Sequence, residues 1–225
     1  MAERQQLLDS LAGLYKYPSG DFAERVAVCR SLADQRSPGR GEAIAALEER
    51  TRGMSRGEIE EMFTRTFEIN PVCALEIGWH IYGEDYARGA LLVRLRGELR
   101  EHGIAEITEL PDHLTHVFQL LGRLESSLAD DLAGRYVLPA LKKMIDAVKD
   151  SVCPYTGLLE MTRDVVADEF DAIEVEPPRR RQAPPGSKPR RPVVMPVMQR
   201  GACGPGGCGV DPGLGIDDER GGSWS

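Results

Sequence analysis

The chain has 225 residues, 36 of them acidic and 28 basic, for a formal charge of −8. Hydrophobic residues make up 41% and charged residues 28%, the mix of a soluble globular protein. The acidic balance argues against a general nucleic-acid binder, which needs a basic face, and no run approaches the roughly 18 apolar residues of a membrane span. The opening stretch, MAERQQLLDSLAGLYKYP, carries acids and glutamines where a signal peptide needs apolar residues, so a cytoplasmic protein is expected. Cys29, Cys73 and Cys153 are widely scattered, which is no disulfide framework.

In chain order, Leu7, Leu8, Leu11, Leu14 and Tyr15 recur at helical spacing and stop before Pro18. Phe22, Val26, Cys29 and Ala33 form a second stripe, and Ile44 with Leu47 marks a short third. Ser55-Arg-Gly-Glu58 fits a capping box opening a helix that carries Ile59, Met62, Phe63 and Phe67, and Asn70-Pro71 breaks it. The clearest helix spans 84–102, with Ala87, Leu91, Leu95 and Leu99 on one face and Gly103 as its stop. Leu110-Pro111-Asp112 restarts the chain with proline near the first turn, followed by Leu114, Val117, Phe118, Leu121 and Leu124. A further helix uses Leu132, Tyr136, Leu141, Ile145 and Val148, and Pro139 is expected to kink or break it. The last carries Leu158, Leu159, Thr162, Val165 and Val166. No alternating strand or repeat is visible, so the fold class is all-α, a single bundle domain of about seven to nine helices.

The composition changes near residue 172. Residues 173–225 hold 9 of the 15 prolines and 10 of the 24 glycines, with a net charge of +2 against −10 for residues 1–172. Such a segment cannot offset the entropy of ordering it. The expected division is a helical domain over 1–172 and a disordered, polyproline-like tail over 173–225.

Few residues suggest chemistry. Gly204-Pro-Gly206-Gly-Cys-Gly209 matches a dinucleotide fingerprint in letters only, since neither a strand nor a helix flanks it. His113 and His116 lie three apart near Glu109 and Asp112, but the other ligands of a metal site are missing. A polar helix start with Asp112 favouring the dipole and His113 partly exposed explains them better. Cys203 and Cys208 are the only close cysteine pair and supply half of a tetrahedral site. Nothing places a base beside a nucleophile. An acidic helical domain of this kind suits binding a protein in an apolar groove between helices.

Met62-Phe-Thr-Arg-Thr-Phe-Glu68, Tyr82-Gly-Glu-Asp-Tyr-Ala-Arg-Gly89 and Glu109-Leu-Pro-Asp-His-Leu114 follow one another in that order. Leu14-Tyr15-Lys-Tyr-Pro18 precedes them, and Tyr136-Val-Leu-Pro-Ala-Leu141 and Cys153-Pro-Tyr155 follow. Over roughly residues 5–170 the set resembles the NarJ/TorD family, the nitrate-reductase delta-subunit-like chaperones, and looks closest to the NarJ branch. The resemblance implies an all-helical cytoplasmic chaperone, not an enzyme, with no cofactor of its own. Its partner would be the apo catalytic subunit of a molybdenum oxidoreductase, held by its N-terminal peptide until the molybdenum cofactor is inserted. Carried over by position, the client groove involves Glu109, Leu110, Pro111, Asp112 and His113, with Tyr82, Gly83, Asp85 and Arg88 as the second motif. Each has a plainer explanation. Gly83 permits a turn, Asp85 favours a helix start, Arg88 pairs with Glu84, and Pro111 sets a helix start. The chief alternative is a metal or iron–sulfur carrier using Cys203 and Cys208. A monomer or a dimer fits the bundle.

Overall fold

The computed structural model describes residues 2–106, 108–149 and 153–172. Residues 173–225, with Cys203 and Cys208, lie outside the described residues. Ten α-helical segments follow in order: α1 (Ala2–Leu14), α2 (Phe22–Arg36), α3 (Glu42–Thr51), α4 (Arg56–Phe63), α5 (Ile77–Tyr82), α6 (Tyr86–Glu101), α7 (Leu114–Leu121), α8 (Ser126–Leu132), α9 (Leu138–Val148) and α10 (Thr156–Glu169). A π-turn over Ala133–Val137 runs α8 into α9 as one rod, so the segments make nine rods among the described residues. The all-α class holds, and no strand is present in the described residues.

Local chemistry sets most boundaries. Ser55 caps α4, its hydroxyl accepting from the Glu58 amide while the Glu58 carboxylate accepts from the Ser55 amide. Ser55→Ala removes this reciprocal cap and is expected to cost about 1 kcal/mol, read from urea unfolding. The α6 helix begins at Tyr86, two residues later than its pattern suggests, because the Asp85 side chain accepts from the Ala87 amide 2.8 Å away and ends the turn before it. It closes in a Schellman motif: the Ile104 amide donates to Leu99 O and the Gly103 amide to Arg100 O, with Gly103 at φ +65°.

Two expectations are refined. Pro139 interrupts the α-helical hydrogen bonding without ending the rod. Proline lacks the N–H that an α-turn would use, and the chain answers with the π-turn just before it, where the Leu138 amide donates to Ala133 O. Pro111 is not in a first helical turn. α7 starts at Leu114, with His113 as its cap.

α1 packs on α2 and α7, α10 on α3 and α9, and α5 on α6 and α9. At the centre, α7 buries seven of its eight residues, Thr115 and His116 included, so it is covered on every side rather than on one stripe. A second π-turn, Thr64–Glu68, extends α4 and places Phe63 and Phe67 in an aromatic cluster. Their rings lie 5.0 Å apart, Phe67 is 4.7 Å from Tyr155, and Tyr15 stands 5.8 Å from Phe118. The Tyr15 hydroxyl is 2.9 Å from Thr162 Oγ1, tying the end of α1 to α10. The aromatic residues of the 62–68 motif are therefore core.

Candidate functional site

The chain between α6 and α7 passes over the start of α5, and the two segments join like a minimal sheet. Glu76 and His113 form an isolated antiparallel bridge. The Ile77 amide donates to Asp112 O and the Leu114 amide to Leu75 O, both at 2.9 Å. The bend itself is closed by the His113 amide on Leu110 O at 3.0 Å. His116 Nδ1 donates to the same carbonyl at 2.9 Å, because a carbonyl can only accept. Four backbone or ring donors thus hold residues 110–114 in one shape.

A charge pair locks it from the side. The Asp112 side chain has no exposure to solvent, and Arg88 Nε donates to its Oδ2 at 3.0 Å. The Arg88 guanidinium also lies 5.9 Å from the Trp79 ring centre, and Trp79 Nε1 donates to Pro71 O at 2.9 Å. Arg88 thus reaches across from α6 to the turn rather than to Glu84, as its helical spacing suggests. A partly buried guanidinium gains more from a desolvated carboxylate than from a solvated neighbour one turn away.

His113 is buried, at 3% exposure, and corrects the reading of a partly exposed residue. Its Nδ1 accepts from the Thr115 amide at 3.2 Å, capping α7. That role requires the proton on Nε2, which faces Glu109 Oε2 at 4.0 Å. Burial, with the neighbouring His116 charge, pushes its pKa down to about 4, so the ring is neutral near pH 7. Burial holds Glu76 above the usual carboxylate range, and Asp112 adds to this. Glu68 is raised in the same way, with Glu109 adding to it.

The named residues therefore divide. Arg88, Asp112, His113 and Pro111 are inside or nearly so and build the turn. Leu110, 43% exposed, and half-buried Glu109 face outward. Tyr82 is buried with its ring 6.4 Å from Tyr136, Gly83 turns the chain at φ +60°, and Asp85 caps α6. These three make the α5–α6 corner, and of the second motif Arg88 is the residue tied to the turn. No helical stripe marks Ile69 and Val72, two exposed apolar residues beside the aromatic motif, or the acids Glu68 and Glu76. Adjacent exposed aliphatics bracketing Asn70-Pro71 were the available signal.

Among the described residues no group of three or more His, Cys, Asp or Glu side chains could hold a metal ion, and no helix is long and apolar enough to cross a membrane. The arrangement does mechanical and electrostatic work: it displays an apolar side chain on a rigid bend among carboxylates. No curated protein matches the chain. The nitrate reductase delta subunit family matches residues 33–160, more than half of the chain and all of the elements that form the bend. The chain belongs to this family, the NarJ/TorD group of molybdoenzyme assembly chaperones.

Proposed function

We propose that the protein is a cytoplasmic chaperone dedicated to one molybdoenzyme of the nitrate reductase kind. It binds the apo catalytic subunit through an N-terminal peptide and holds it until the molybdenum cofactor is inserted. The observation that supports this is the bend at 109–113, where Leu110 stands exposed while its own carbonyl and the backbone of Asp112, His113 and Leu114 are hydrogen-bonded. Glu109 helps to raise the Glu68 carboxyl, Trp79 beside the bridge holds Pro71, and the exposed Ile69 and Val72 adjoin Glu68 and Pro71 in the chain. An amphipathic client helix would lay its apolar face on Leu110, Ile69 and Val72, with its basic residues drawn by Glu68, Glu76 and Glu109. Binding stabilises by mass action the client state that exposes this peptide, and release follows when folding around the cofactor buries it.

The test is purification of the tagged protein from its own host, blocked in molybdopterin synthesis, with identification of what is retained. A large apo-oxidoreductase subunit, enriched by the block and lost on restoring the cofactor, is the expected result. Leu110→Asp is expected to weaken its retention by about tenfold or more without lowering thermal stability, because the side chain already meets water. Full retention by Leu110→Asp would remove the bend from the client surface.

A further inference from the structure

Gly78 is the second residue of α5, a helix of only six residues, and is buried there. Glycine is the poorest helix former after proline, so its place there calls for a reason. A Cβ built on it would stand 2.5 Å from Asp112 Oδ2, and 3.2 Å from both Arg88 Cγ and Leu91 Cδ2. The last two are flexible side-chain atoms that can yield by a few tenths of an ångström. The carboxylate cannot move freely. Arg88 holds its oxygens, and the Ile77 amide holds the carbonyl of the same residue. Asp112 can thus lie against α5 only where that helix has no side chain.

We infer that Gly78 is the positioning residue of the 109–113 bend. By leaving α5 bare at one point it lets the Asp112 carboxylate seat and reach Arg88, and the depth of that seat sets how far Leu110 and Glu109 stand out. The seat follows from the geometry alone; its consequence for the client rests on the proposed function.

A substitution cycle in the full chain tests it, using Gly78→Ala, Asp112→Ala and the two together. Hydrogen exchange at the Ile77 and Leu114 amides reads the seat, and retention of the apo-subunit from molybdopterin-blocked cells reads the consequence. Gly78→Ala is expected to speed exchange at both amides by about tenfold and to reduce retention by a similar factor. Asp112→Ala is expected to do the same, and the double variant to be no worse than Asp112→Ala alone, since the colliding oxygen is gone. Losses that simply add in the double variant would overturn the inference, leaving Gly78 as ordinary packing against Leu91. Faster exchange with undiminished retention would overturn the positioning role. Should Gly78→Ala not fold, the double variant is judged against Asp112→Ala: stability equal to Asp112→Ala supports the seat, and a further loss below it overturns it. If the unaltered protein retains no subunit, the client reading fails while the exchange cycle still judges the seat.

Discussion

Replacing Arg88 with methionine is expected to destabilise the protein by about 3 kcal/mol. The Asp112 carboxylate is fully desolvated, and Arg88 is its partner across 24 residues of sequence. Methionine keeps most of the volume and the packing on Trp79 but leaves a buried anion without its cation. Removing one member of a buried pair costs about 3–5 kcal/mol. The lower end applies because a fifth of the Arg88 side chain remains in water. In a domain of this size that lowers the melting temperature by roughly 6–12 °C. Adding Asp112→Asn to Arg88→Met is expected to recover part of the loss, since the amide carries no charge to strand. A urea unfolding free energy for Arg88→Met within about 1 kcal/mol of the parent would show that water reaches Asp112 and that the bend is looser than its hydrogen bonds imply.

Acid is expected to weaken the fold through His113. Its folded pKa of about 4 lies below the ordinary value of 6.5, so between these two values the unfolded chain binds the proton more tightly. Stability from this residue is therefore complete above pH 6.5. It falls as pH drops toward 4 and levels off below. A gap of that width corresponds to about 3 kcal/mol. The cause is visible in the geometry: the ring is buried, Nδ1 is occupied as the acceptor that caps α7, and His116 lies one turn on. The groups facing it oppose and assist in known senses. Glu109 stands 4.0 Å from Nε2 and favours the proton, while the Arg88 cation is engaged by Asp112. Raised carboxylates at Glu68 and Glu76 act in the opposite sense, because they take up protons more readily when folded. The contribution of His113 is thus read as a difference between the parent and His113→Asn, which keeps a capping acceptor and cannot titrate. Parallel stability curves for the two proteins from pH 4 to 6.5 would assign the acid sensitivity elsewhere.

The degree to which each feature could be read from the chain follows its range in sequence. The α4 capping box, the Gly103 stop and the stripes of α1, α2 and α10 depend on residues within a turn or two, and they stand where the pattern puts them. The motif order 62–68, 82–89 and 109–114 pointed to the family that matches residues 33–160. Local patterns failed wherever the partner came from elsewhere. Helical spacing gives Arg88 a partner at Glu84, but burial of Asp112 outbids it. His113 beside an acidic turn looks solvated, yet the bridge to Glu76 pulls it inside. Pro139 carries a breaking signal that a π-turn absorbs.

By itself the sequence determined a helical bundle, most of its helix limits and its family, because periodicity, caps and motif order are written in neighbouring residues. Only the tertiary structure decided which members of the 109–113 motif are buried supports and which face outward. That division depends on α5 passing beneath the bend and on the one position in α5 that has no side chain. Contacts between elements distant in sequence leave no periodic trace, since they are selected by the volume and charge left over once the helices have packed.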